Sequence, residues 1–367
     1  ATLLSTIATG TDGTVTVSSA VNITGDTSEV IAALDTNGVV AATANIVLSD
    51  TPSLANLKTI NGKTSGSIKI DNGAVTYSDS AVNLAAALDG TVTDGSGTAL
   101  SGAMTLNSDP NATQLQTINN GTTGNVIIPN AGITLSGTPA VLVEALTGSV
   151  ATAGNAKISG TVTITTSDPD SAQLKTINDA IDGAIVVPSK AVALSGTATA
   201  LAAALTGTVT DSANAKIEGN VTITGANPTE AELKTINDGT NATIIVPDKT
   251  VQLSSTADVL AAALTGTVTD SANAQITGNV TITDAPTETE LQTINNGTNA
   301  SIQISAANQT FSASAAVLAE ALTGTVTGPG AAALSGAVTV NNGANTNVAA
   351  TLLSTIATGT DGTVTVS

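Results

Sequence analysis

The chain has 367 residues, with nine Lys, no Arg, no His and no Cys, and its 28 Asp and Glu leave a formal charge of −19 at pH 7. Without thiol or imidazole there is no thiolate nucleophile, no zinc site of ordinary ligands and no histidine general base. An acidic chain without Arg is also a poor nucleic-acid or anionic-membrane binder.

Only 10% of the residues are charged and the mean hydropathy is +0.30. The apolar residues are almost all Ala, Val, Ile and Leu, which bury enough surface to fold, so the charge does not signal disorder. No run of eighteen apolar residues predicts a membrane span. The first residues, Ala1-Thr2-Leu3-Leu4, lack the basic region and cleavage pattern of a leader, so a secretion signal is expected to lie outside these residues. Absence of Cys fits an extracellular bacterial protein, and equally a cytosolic one.

Along the chain one pattern recurs. A Leu-X-Thr-Ile-Asn marker begins at Leu57, Leu115, Leu174, Leu233 and Leu291, at spacings of 58 or 59, with diverged copies at Leu4 and Leu353. A second marker, the closing Leu of a Leu-Ala-Ala-Ala-Leu type segment, falls at Leu34, Leu88, Leu146, Leu205, Leu264 and Leu322. It follows the first by 30 or 31 residues, so each unit of about 58 residues holds two half-units of about 29. The expected repeat units are 1–50, 51–109, 110–168, 169–227, 228–285 and 286–346, and 347–367 begins the next cycle.

In the unit 228–285, Pro228 to Gly239 predicts a short helix. Thr229 and Glu232 form a capping-box pair, as do Thr287 and Glu290 one unit later, and Asn237 and Gly239 stand where a helix stops. Leu233 and Ile236 give the helix one apolar stripe. A strand over 243–246, a corner at Pro247 and a strand over 250–254 follow, with Pro129 and Pro188 at the same corner in earlier units. A second helix carries Leu260 and Leu264 on one face. A loop over 269–274, a run 275–277, a corner at Gly278 and an alternating strand over 279–283 complete the unit. Elements this short are marginal alone. Stacked copies bury one continuous core, so the expected class is α/β: a repeat solenoid of helix–strand–corner–strand coils of about 29 residues with parallel sheets. The alternative is an array of small β-sandwich-like units. Strands pair at about 4.8 Å and helices at about 8–10 Å, a mismatch to be absorbed by close approach of Ala-rich helices or by curvature or twist.

Residues 1–18 and 350–367 are identical, offset by 349. Adjacent units differ at many positions, so this identity predicts a window cut from a tandem array of 349-residue super-repeats, and neither end reads as a polar capping repeat; the alternative is a self-contained protein whose termini pair with those of neighbouring copies.

The segments Leu-Lys-Thr-Ile-Asn (233–237), Ala-Thr-Ile-Ile-Val (242–246), Val-Leu-Ala-Ala-Ala-Leu-Thr-Gly (259–266) and Gly-Asn-Val-Thr-Ile-Thr (278–283) resemble the tandem repeats of giant bacterial cell-surface proteins. These are found especially in cyanobacteria, where one such protein serves non-flagellar swimming. The resemblance covers nearly the whole chain and implies a secreted, cell-surface structural protein; it brings no catalytic residues.

The residues that invite chemistry each have a plainer reading. Glu230 with Glu232, or Glu288 with Glu290, could pair as glycosidase carboxylates, but helix capping explains them and no aromatic platform accompanies them. Asp211 and Asp270 could contribute to Ca²⁺ binding, yet no loop has the dense acid spacing of a dedicated site, so at most weak, nonspecific Ca²⁺ binding is expected. Asn61, Asn119, Asn178, Asn237 and Asn295 share one slot, read as a cap or amide satisfying backbone groups at a corner rather than a recognition ladder. Asn-X-Thr triplets such as those at Asn241 and Asn296 arise readily in this composition. The Thr-Val-Thr and Val-Thr-Ile-Thr runs place Val and Ile inward and Thr outward, a face that could bind ice or polysaccharide or simply meet solvent.

The expected role is therefore a non-catalytic structural protein, a segment of a long surface filament, sheath or layer. Its expected location is extracellular or at the cell surface. Expected partners are copies of itself or the next super-repeat, end to end, with a surface glycan as a further candidate and neither nucleic acid nor membrane insertion. No catalytic, cofactor-binding or metal residue and no cofactor is predicted. The alternative role is an adhesin or ligand-binding stalk that recognises glycan or ice through Thr/Asn-rich faces.

Overall fold

A computed structural model describes residues 1–17, 21–35, 39–343 and 347–367. Ser18 and the last residues before the expected 346/347 boundary lie outside them. Two compact units are formed, Ala1–Ser167 with Asp179–Val186 and Asp168–Asn178 with Val187–Ser367. Each is an α/β repeat solenoid, and among the described residues thirteen α-helices alternate with short strands whose pairings within sheets are parallel. Among the described residues no β-sandwich forms.

The local plan follows the sequence signals. In the second unit the chain runs through helix Glu230–Gly239, strand Ile244–Ile245, strand Leu253–Ser255, helix Ala257–Leu264, strand Val268–Thr269, strand Val280–Ile282 and helix Glu288–Gly297. Both predicted capping boxes are present: Thr229 and Thr287 accept from the N–H of Glu232 and Glu290, whose carboxylates accept back from the cap N–H. Leu233, Ile236, Ile244, Leu260, Leu264, Val280 and Ile282 are fully or almost fully buried. At about 1.5–3 kcal/mol for each large aliphatic withdrawn from water, this lining is the main cohesive term of a coil.

The strands do not form one unbroken ladder. In the first unit Asn22–Gly25, Asn45–Leu48, Ile68–Ile70 and Val92–Asp94 make one four-stranded sheet. Tyr77–Asp79, Met104–Leu106, Val126–Ile128 and Val150–Thr152 make another. In the second unit two four-stranded sheets are Leu194–Gly196, Val221–Ile223, Ile244–Ile245, Val268–Thr269 and then Leu253–Ser255, Val280–Ile282, Ile302–Ile304, Val326–Thr327, and Phe311–Ala313, Val338–Val340 and Val364–Val366 make a three-stranded one. Successive sheets overlap in sequence: the last strand of one lies between the first and second strands of the next. Helices, by contrast, pack each on the next, from Thr2–Thr9 to Pro139–Leu146 in the first unit and from Ala198–Leu205 to Ala350–Thr358 in the second. Neighbouring helices approach closely at their C-terminal ends, where a Cβ on Gly239 would lie 2.7 Å from Leu205 Cβ and one on Gly297 2.6 Å from the Leu264 carbonyl oxygen.

A column of small residues lets the coils meet backbone to backbone. A Cβ on Gly278 would lie 2.1 Å from the Val251 carbonyl oxygen, and one on Gly160 2.0 Å from that of Ile133, so only glycine fits. Beside this column stands a row of buried threonines, Thr64, Thr122, Thr240, Thr298 and Thr360. Each hydroxyl donates to a carbonyl of the preceding coil (Thr240 to Ile217 O at 2.6 Å, Thr298 to Ile276 O at 2.6 Å) and accepts from an N–H two residues on. The bond both satisfies the hydroxyl and fixes the corner.

Candidate functional site

The Glu pairs are taken up by the fold. Glu232 accepts from the Thr199 hydroxyl at 2.6 Å and the Thr229 N–H at 2.9 Å, which hold its carboxyl below the usual carboxylate range. Glu230 accepts from the N–H of Ser254, and Glu288 from that of Ser312.

Asp211 and Asp270 sit in tight turns and each binds its own loop: Asp211 Oδ1 accepts from the N–H of Ala213 and Ala215, and Asp270 Oδ1 from Ala272 and Ala274, all at 2.8 Å. Asn214 and Asn273 complete these turns at φ near +60°, a region Asn tolerates. In the corresponding turn, Asp94 accepts four bonds from the hydroxyls and N–H groups of Ser96 and Thr98, led by the Ser96 hydroxyl, and its carboxyl is held well below the usual range. Among the described residues no three carboxylates gather where they could share a metal ion.

The Asn slot turns out to be a clamp between coils. Asn237 Nδ2 donates to the carbonyls of Ala262, at 2.7 Å, and Thr265. Asn178 reaches Ala203 and Thr206 at 2.7 Å each, and Asn295 reaches Glu320 and Thr323 at 2.6 and 2.7 Å. Each amide thus satisfies the free carbonyls at the C-terminal end of the following helix. At the other end, the first N–H of these helices is met by a residue of the next coil. Ala257 N–H donates to Asp284 at 2.8 Å, Ala81 to Ser108 at 3.0 Å and Ala315 to Asn342 at 2.7 Å. The helix Ala257–Leu264 therefore carries an anion at its positive end and an amide donor at its negative end, both favourable to its dipole. The spacing of the Asn slot was visible in the sequence, whereas its partners 25 to 28 residues away were not.

The outward strand rows are mixed. Across one sheet the row reads Ser254, Thr281, Gln303, Thr327, and across another Ser195, Thr222, Ile245 and then Thr269, which is buried. The regular Thr array that ice recognition would use is not present in these rows.

What recurs as open space is a polar groove beside the Asn slot. It measures about 380 Å³ at Asn119, Asn120 and Thr147, about 340 Å³ at Asn237, Asp238 and Thr265, and about 330 Å³ at Asn295, Asn296 and Thr323. In the first and third of these a glutamate closes one wall. Glu144 accepts from Gln116 at 2.7 Å and Asn120 at 3.0 Å, and Glu320 accepts likewise from Gln292 and Asn296; these amides hold both carboxyls below the usual range. A further groove of about 480 Å³ lies at Lys58, Lys63, Asp79 and Asn83, where Lys58 Nζ donates to Asn83 Oδ1 at 2.7 Å. The threonine row and the glycine column were missed in the sequence, although Thr-X-Gly or Thr-X-Ala at a fixed distance after the Asn slot was a usable signal.

No protein-family model, curated protein or solved structure matches the chain.

Proposed function

We propose that this chain is a non-catalytic structural protein, a segment of a long filament, sheath or surface layer outside the cell, joined end to end with further copies of its own repeat. The observation that carries this reading is the direction of the recurring polar groups. The Asn clamp, the residues that cap helix N-termini from the next coil and the buried Thr row all bind the backbone of a neighbouring coil. Side chains repeated at the unit spacing thus serve cohesion between coils, and the net charge of −19 opposes lateral clumping of finished assemblies. The extracellular location and the kinship with giant cyanobacterial-type surface repeats rest on the sequence resemblance. No residue is given a catalytic, metal or cofactor role.

The test is immunogold electron microscopy of the native material with antibody to this chain. Labelled filaments or layers at the cell surface with a regular axial period are expected; label confined to the cytoplasm, or to discrete particles, would refute the proposal. The recurring polar grooves favour a second reading, a stalk that recognises a glycan. Glycan-array binding that is lost on filling a groove at Gly148, Gly266 and Gly324 would support it, and an array without signal would remove it.

A further inference from the structure

In the first unit a lysine faces a side-chain amide whose other end is held by a carboxylate. Lys58, on helix Leu54–Asn61, donates from Nζ to Asn83 Oδ1 at 2.7 Å on the next helix, Ala81–Leu88. A carbonyl bond is about 1.23 Å long, so this nitrogen lies within about 4 Å of Asn83 Cγ. Asn83 Nδ2 in turn donates to Asp79 Oδ1 at 2.8 Å, and this bond is the first cause that holds the Asp79 carboxyl below its usual range. The Ser80 N–H fixes the same oxygen at 2.6 Å. The two helices are locked on each other one turn beyond Lys58, where the Asn61 amide donates to Ala86 O at 3.1 Å and Asp89 O at 2.8 Å. Amine, amide and carboxylate share one groove of about 480 Å³ with Leu54 and Ala55.

The repeat does not demand this set. Where the first unit has Asp79, the corresponding strands end in Gly137, Gly196, Ser255 and Ala313, and the Asn83 slot holds Val141, Ala200, Val259 and Val317. Other lysines make contacts of a different kind. Lys63, Lys190 and Lys234 meet carboxylates, and Lys157 and Lys216 donate to backbone carbonyls. An ionised carboxylate resists a nucleophile, and attack on a backbone carbonyl would cut the chain. A side-chain amide is an acyl group that an amine can take over without breaking the backbone.

We infer that Lys58 and Asn83 join in an isopeptide bond that the chain forms by itself, tying two neighbouring coils covalently. The unprotonated Nζ attacks Asn83 Cγ, a new C–N bond forms and the Cγ–Nδ2 bond breaks. Counted from the ammonium, two protons leave Nζ, and Asp79 passes them to the departing Nδ2, which leaves as an ammonium ion. The new amide keeps one N–H, and the balance needs no oxidant or co-reactant. The packed helices make the encounter intramolecular, which is the term that drives it. The inference goes beyond the structural role proposed above and does not rest on it.

The test incubates the full chain for about one week at about pH 7 and about pH 9, then measures its intact mass and its proteolytic fragments. The expected mass is about 17 Da below that of the sequence, one ammonia, with a branched fragment joining the segments that carry Lys58 and Asn83. Formation is expected to be faster at the higher pH, because the unprotonated amine is the nucleophile. The branched fragment tells the bond from a succinimide at an Asn-Gly pair, which loses the same mass without joining two segments. Lys58→Arg and Asn83→Ala are expected to lack the fragment, and Asp79→Asn, with no carboxylate to carry the protons, to form it about a hundredfold more slowly. Circular dichroism verifies the fold of each variant, and the unmodified chain decides the question by itself. An unmodified chain with no branched fragment at either pH overturns the inference, and so does a fragment that persists in Asn83→Ala or forms at the unmodified rate in Asp79→Asn.

Discussion

The Asn clamp makes a prediction whose size and pH dependence both follow from geometry. Asn295 is half-buried and donates two short hydrogen bonds to the last carbonyls around helix Ala315–Ala321. Asn295→Ala removes both, a loss of about 2 kcal/mol at about 1 kcal/mol net per bond. Asn295→Asp keeps the shape but points an anion at carbonyl oxygens, at the negative end of the helix, beside the Glu320 carboxylate that shares the groove. At pH 7 it is expected to cost about 3–4 kcal/mol, more than the truncation. These neighbours favour the protonated carboxyl, so its folded pKa lies above the unfolded value of about 3.9. The folded state then binds more protons, and stability falls as pH rises through that window. Relative to the unmodified chain, N295D should therefore recover about 2–3 kcal/mol between pH 7 and pH 3, where one O–H can donate again, while N295A stays level. Urea titrations followed by circular dichroism at each pH provide the comparison. Equal losses for the two variants at pH 7, or a pH-independent N295D, would show that this amide does not serve the helix end.

Gly278→Ala forces a methyl against the Val251 carbonyl and should cost about 3 kcal/mol or more; Gly207→Ala has open space and pays only for its positive φ, about 1 kcal/mol. Equal shifts of the urea midpoint would refute the close-approach column. Tyr77 is the single tyrosine, buried, with its hydroxyl donating to Pro52 O at 3.1 Å, and burial pushes it up to about 12. Absorbance at 295 nm should show no ionisation near pH 10 while the fold lasts, and because the neutral phenol is favoured in the fold, its contribution to stability declines as pH rises from about 10. Titration at the unperturbed value in the folded chain would refute this burial. The carboxyls of Asp94, Glu144, Glu232 and Glu320 all lie below their ordinary values, so their contribution is present above the unfolded pKa near 4 and lost as pH falls through the folded values. The Tm should hold from pH 8 to 6 and drop below about pH 4, and a Tm unchanged down to pH 3 would contradict it.

Local features were the legible ones. The boxes at Thr229/Glu232 and Thr287/Glu290, the helix stops near Asn237 and the alternation of Val280-Thr281-Ile282 depend on residues a few positions apart, and the structure has all of them where the sequence put them. What was hidden depends on which coil neighbours which. Periodicity gave Asn295 its slot, but the carbonyls of Glu320 and Thr323 become its partners only after the coils stack. The grouping of strands in fours was invisible for the same reason: each Val-Thr-Ile run is a good strand, and which runs pair is decided only when the coils stack. Gly278 read as a corner, and nothing local says that another backbone lies 2.1 Å from where its Cβ would be.

The overlap of successive sheets has a mechanical consequence. In the second unit Val268–Thr269 closes one sheet after Leu253–Ser255 has already opened the next, and in the first unit Val92–Asp94 closes one after Tyr77–Asp79 has begun another. Tension drawn through either unit therefore meets a lapped joint at these crossings, like a splice, rather than a bare link between sheets. A sheet cannot let go of its final strand without the pull passing through residues its successor already holds. When a lap does yield, it releases a whole period of about 59 residues, on the order of 200 Å of extended chain.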